Sequence, residues 1–131
     1  MLKMNVKVKG RFKERRMFQR LNIPLHFQYK LLPHKIILES AFSRDISGGG
    51  ISFRLGQPLK QGAKLKVLLH FPGETKPVTA VSQVVWCRKS PQEKTYDIGI
   101  KHVKILPMDK ERFVFLFCEM MINYSLVTAR K

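Results

Sequence analysis

Apolar residues recur at every second position in run after run of this chain, and that period restricts its fold more than any other feature. NIPLHFQYK sets Ile23, Leu25, Phe27 and Tyr29 on one face and Asn22, His26, Gln28 and Lys30 on the other. This is the alternation of a strand with one face buried. KIILESAFS resumes it after LLPH, with Ile36, Leu38 and Phe42 in phase, and ISFRL follows a glycine turn. KLKVLLHF turns Leu65, Val67, Leu69 and Phe71 inward, and VTAVSQVVWC puts Trp86 in phase with Val78, Ala80 and Val84. TYDIGIKHVKI begins with Tyr96, Ile98 and Ile100 inward, then changes phase to Val103 and Ile105, which predicts a β-bulge near Lys101 and His102. The stretches between, GQPLKQGA, PGETKP and RKSPQEK, have turn composition. Six strands joined by short turns, with no helix between them, predict an all-β antiparallel barrel or sandwich.

The pattern changes after Pro107. MDKERFVFLFCEMMINYSLVTARK has a helix start, with Asp109 as a candidate N-cap and Glu111 in the first turn, and no turn residue before Asn123. It predicts one C-terminal helix of four to five turns, apolar on nearly every side from Phe113 to Ile122. Two readings stay open for it: a helix buried in a groove of the barrel, or one that leaves Phe and Met residues exposed for self-association or a protein partner.

At 131 residues, 44% hydrophobic and 26% charged, the chain suits one globular domain. Its longest apolar run, FVFLFC, ends at Glu119 and is far short of the roughly 20 residues of a membrane span. The opening MLKMNVKVKG lacks the apolar block of a secretory signal. Cys87 and Cys118 lie in different predicted elements and read as reduced, mostly buried thiols of a cytoplasmic protein. The net charge of +16 is concentrated at the start, where residues 1–20 hold eight Lys/Arg and one acid. Such a field attracts anions, whether nucleotides, nucleic acid or an anionic membrane face.

Two stretches carry chemistry. ERRMFQR brings Arg15, Arg16 and Arg20 together just before the first strand, and RDISGGGISF puts Asp45, Ser47 and three glycines, Gly48, Gly49 and Gly50, at one strand connection. Each glycine loses more backbone freedom on folding than any other residue, so a row of them points to positive φ or to close approach of a backbone or ligand. The bland readings are a solvated basic loop and a tight Asx-type turn; the turn accounts for Asp45 and one glycine but not for three. A nucleophilic role for Ser47 lacks any base nearby in sequence. His26, His34, His70 and His102 have no metal-ligand spacing. No phosphate loop, dinucleotide fingerprint or zincin motif is present, which argues against an enzyme.

Together, Arg16-x-x-x-Arg20 and Asp45-x-Ser47-x-x-Gly50 resemble the two signature motifs of the PilZ domain family. Arg15 before the first motif, Phe18 inside it, GGISF closing the second and Gly99 in YDIGIKHVKI match the family's habit, and the resemblance runs from about Glu14 to the end of the helix. It implies a six-stranded β-barrel with a C-terminal helix, divided as a basic tail (1–13), the arginine loop and barrel (14–107) and the helix (108–131). It also implies a non-catalytic bacterial receptor for cyclic di-GMP, with no cofactor, that signals through an unidentified protein partner or a homodimer.

Ligand chemistry is consistent with that implication. An Arg fork matches guanine O6 and N7, stacks on a purine face and pairs with phosphate, while Asp45 and Ser47 offer acceptors to guanine N1 and N2. Glycines would let the nucleotide approach bare backbone. Arg15 is assigned to a phosphate, or to a second stacked ligand. The Lys-rich residues 1–13 are expected to be mobile when the site is empty and to wrap over a bound nucleotide. The alternatives are a basic nucleic-acid-binding barrel, since +16 exceeds what two phosphates require, and a ligand-free interaction module.

Overall fold

A computed structural model describes residues 20–33, 35–92 and 94–129, the last five of these without their side chains. The strands are β1 (His26–Leu31), β2 (Glu39–Ser47), β3 (Gly50–Leu55), β4 (Lys64–His70), β5 (Val78–Lys89) and β6 (Tyr96–Ile105). A 3-10 turn, Pro107–Asp109, leads into α1 (Lys110–Ala129). Every pairing is antiparallel, and the sheet closes on itself in the order β1-β2-β3-β6-β5-β4.

The barrel is filled by the inward half of each alternating run. Phe27, Phe53, Leu65, Val67, Val78 and Ile98 have no exposed surface, and the Phe27 and Phe53 rings meet edge to face at 4.9 Å. Helix α1 closes the core with a stripe at helical spacing, Phe113, Leu116, Phe117 and Met120. Phe113 meets Phe71 edge-on at 6.1 Å and stacks on Phe117. One side of the helix is therefore buried on the barrel and the other is not, since Val114, Phe115 and Ile122 are more than half exposed. The helix has 20 residues, somewhat longer than expected. The Asp109 carboxylate accepts the Thr79 N–H of β5 at 3.0 Å and pairs with Arg112 at 2.7 Å, so it ties the helix start to the barrel.

Three phase assignments are corrected, and the same physical feature recurs: one extra residue in a strand puts the residues before it and those after it on opposite phases. In β2, Ser43 pairs with Phe53 and Asp45 with Ser52, leaving Arg44 as the extra residue. The inward residues are Ala41, Ser43 and then Ile46, so Phe42 faces out at 62% exposure beside the His26 ring. Ile36 and Leu38 precede β2 and are exposed as well. In β5, Val84 pairs with Ile100 and Trp86 with Gly99, so Val85 is extra and Trp86 leaves the interior. In β6 the expected bulge lies slightly further on: Val103 is the extra residue and is half exposed, while His102 and Ile105 turn toward the body.

Candidate functional site

The segment before β1 is fastened to β2 at two points. Leu21 and Ile46 exchange backbone hydrogen bonds of 2.7 and 2.8 Å, and both side chains are buried. The buried Ser43 hydroxyl accepts the Leu25 N–H at 2.8 Å and donates to the Ile23 carbonyl at 2.6 Å. Arg20, one residue before the Leu21 anchor, is thereby held beside β2 on the outside of the barrel.

The Arg44 bulge decides what Arg20 meets. Because Ile46 faces in, Asp45 and Ser47 share the outer face of β2. Arg44 is anchored across the sheet, its Nη1 donating to Asp97 Oδ1 at 3.2 Å, and Arg54 Nε donates to the same oxygen at 2.9 Å. The Arg54 hydrogen bond is the main reason that the Asp97 carboxyl is held below its ordinary range. Across β3 and β6 the second bulge brings Trp86 to the same outer face. The result is a shallow cleft of about 220 Å³ lined by Arg20, Asp45, Ser47, Gly49, Gly50, Trp86 and Lys101, among others.

The glycines have different tasks. Gly49 and Gly50 do not have a positive φ, so the conformational reading is set aside for them; among the described residues the positive-φ glycines are Gly62 and Gly73. Gly50 answers to close backbone approach, because a Cβ there would overlap the Ile100 carbonyl oxygen of β6 and crowd the Lys101 Cα at 3.0 Å. Gly49 has no such neighbour among the described residues, of which a Cβ would meet only the Ser47 Oγ, at 3.9 Å. Its N–H donates to Ser47 Oγ at 3.2 Å, and its carbonyl accepts the His102 N–H at 2.8 Å. Gly48 completes the two-residue turn between Ser47 and Gly50 but does not line the cleft.

The cleft thus offers a guanidinium, an ammonium, a carboxylate without a hydrogen-bond or ion-pair partner among the described residues, a hydroxyl, an indole and a floor of sheet backbone. That is a set for an anionic, hydrogen-bonding, planar molecule. Arg15 and Arg16, with the whole basic tail, lie outside the described residues.

Residues 14–116 match the family model of the PilZ domain. The chain belongs to the PilZ domain family. Solved structures agree with this PilZ barrel. The Bacillus subtilis inhibitor of motility (MotI/DgrA) aligns with a TM-score of 0.64 at 18% identity, over 82% of this chain and 52% of that one. MrkH of K. pneumonia, in a complex with c-di-GMP, aligns with a TM-score of 0.57 at 20% identity, over 90% and 54%. Both likenesses are of fold, and the chain spans about half the length of each structure. No curated protein matches by sequence.

Sequence reasoning missed two side chains of the PilZ cleft. Alternation places Trp86 inward with Val84; its signal as a cleft residue is Gly99, since a Cβ at that position would fall inside the indole. Arg88 also lies over the Trp86 ring at 4.4 Å. Lys101 carried no distinguishing signal in so basic a chain. No helix among the described residues is long and apolar enough to cross a membrane.

Proposed function

We propose that this PilZ domain is a non-catalytic receptor for cyclic di-GMP. The observation that carries the reading is convergence: Arg20 from one motif meets Asp45, Ser47, Gly49 and Gly50 from the other in a single cleft. In this reading Arg16 and Arg20 grip guanine and phosphate, and Arg15 adds a phosphate contact. Asp45 and Ser47 receive guanine N–H groups, and Gly48, Gly49 and Gly50 keep the turn bare for close approach. The resemblance of the motifs to those of the family supports it, as does the fact that MrkH, a fold relative, was solved in complex with c-di-GMP.

The working unit is then the arginine loop with the barrel (14–107), preceded by the basic tail (1–13) and followed by the docked helix (108–131), acting in the cytoplasm. Binding alters the surface offered to a protein partner, for which the exposed Val114, Phe115 and Ile122 of α1 are our assigned contact.

Calorimetric titration of cyclic di-GMP at near-physiological salt tests the reading. Saturable binding is expected, with Arg20→Ala and Asp45→Ala each weakening it about 5- to 150-fold, the range of about 1–3 kcal/mol for a bidentate contact to a base. Absence of both heat and thermal stabilisation in the unmodified protein would reject it. A steep loss of nucleic-acid binding between 50 and 200 mM salt, about 10³–10⁵-fold, would instead favour a nucleic-acid site.

A further inference from the structure

Among the described residues, the most exposed apolar side chain, Ile36, lies far from the cleft. Between β1 and β2, Ile36 and Ile37 are 83% and 72% exposed, with Leu32 and Leu38 beside them at 37% each. The base of this tip is held to the barrel: Lys35 N–H donates to the Leu31 carbonyl at 3.2 Å, and Leu32 N–H to the Lys64 carbonyl at 3.0 Å. Ile36 and Ile37 line a groove of about 530 Å³ together with Lys30 and Lys35, and Glu39 is the one acid in that lining. The tip precedes β2 and the glycine turn follows it, so the nine residues of β2 separate the two by about 26 Å.

We propose that this tip seats on an anionic lipid bilayer, with Ile36 and Ile37 entering the headgroup–acyl boundary and Lys30 and Lys35 meeting lipid phosphates and carboxylates. The pairing of apolar points with a cationic base selects this occupant. Water leaves the isoleucines unfavourably exposed. A nucleic acid satisfies the lysines but has no apolar interior for the isoleucines. A second copy of a +16 chain brings lysine against lysine. An anionic bilayer satisfies both groups at once, because apolar insertion and attraction to acidic headgroups add. The proposal stands apart from the cyclic di-GMP reading and shares no residue with it.

The test is co-sedimentation of the full chain with phosphatidylcholine vesicles, with and without phosphatidylserine. Binding should require phosphatidylserine and weaken with salt. Ile36→Ser with Ile37→Ser, which leaves the charge unchanged, should lower the partition coefficient tenfold or more. Lys30→Gln and Lys35→Gln should lower it about fivefold each. Cyclic di-GMP titrations and thermal midpoints should be unchanged in these variants, which alter only surface groups remote from the cleft. Undiminished binding by the double serine variant would overturn the proposal, because adsorption would then be electrostatic and elsewhere. So would failure to bind acidic vesicles, including the case in which the double variant instead abolishes self-association or capture of an acidic protein.

Discussion

Gly49 and Gly50 are neighbours, one in the turn and one opening β3, yet alanine should act on them differently. At Gly50 the added methyl meets strand backbone, the Ile100 carbonyl, which cannot move without breaking the β3–β6 ladder. Gly50→Ala should cost about 1–3 kcal/mol of stability as forced overpacking does, read as a lower urea midpoint. At Gly49 the methyl meets, among the described residues, only the Ser47 Oγ at an ordinary contact distance of 3.9 Å. Gly49→Ala should leave the urea midpoint nearly unchanged, within about 0.5 kcal/mol, while weakening cyclic di-GMP binding in a titration. Equal loss of stability in both variants would assign the whole triplet to the fold and leave none of it to a ligand.

At the scale of elements, the dock between α1 and the barrel has a built-in acid sensitivity. His102 of β6 lies beneath the helix, its ring edge-on to Phe113 at 5.8 Å and its Nδ1 2.9 Å from the Ser82 hydroxyl. Burial pushes its pKa down to about 4, so it is neutral in the folded protein at pH 7. An unfolded histidine takes up its proton near pH 6.5. As pH falls from 6.5 toward 4 the unfolded state therefore binds a proton that the folded state refuses, and stability declines by on the order of 2–3 kcal/mol. His70, lowered chiefly by burial and also by His26, acts in the same direction. Asp97 and Asp109 also have lowered pKa values, and their contributions are lost mainly as pH falls through and below the ordinary carboxylate range, at and beyond the acid end of this window. His102→Gln should flatten the dependence of the urea midpoint on pH between 6.5 and 4; an unchanged slope would remove His102 as its source.

Elements also mark where the sequence could be read and where it could not. β4 has no bulge, and its inward Leu65, Val67 and Leu69 were legible from alternation alone. β2, β5 and β6 each carry one extra residue, and there Phe42, Trp86 and Val103 were assigned the wrong face. A bulge is a backbone accommodation to neighbouring strands, and no side-chain period announces it unless the phase visibly breaks, as it does in β6. The meeting of Arg20 with Asp45 and Ser47 in one cleft was legible because the two motifs that contain them stand out by residue type and spacing. Its far wall was not, because Trp86 reaches the cleft only through the bulge at Val85.

For the whole molecule, closure of the sheet governs how it opens. A ring of strands has no terminal member to detach, so β1 to β4, most of β5 and β6 should lose protection together in amide hydrogen exchange. The exception is the end of β5. Its pairing with β4 stops at Gln83, and Cys87, Arg88 and Lys89 run on with β6 alone. Early exchange confined to that overhang and the loops is expected; early exchange throughout β1 or β4 would mean that the ring breaks at their seam. The same geometry limits how the protein can be recognised. A sheet with two open edges can recruit another chain rung by rung, through backbone that every polypeptide shares. Here the overhang is short, bent by the Val85 bulge and flanked by Arg88 and Lys89, devices that discourage strand addition. Recognition is left to side chains and turns, so specificity can be rewritten by point substitution at the cleft, the helix or the isoleucine tip without any change to the barrel that carries them.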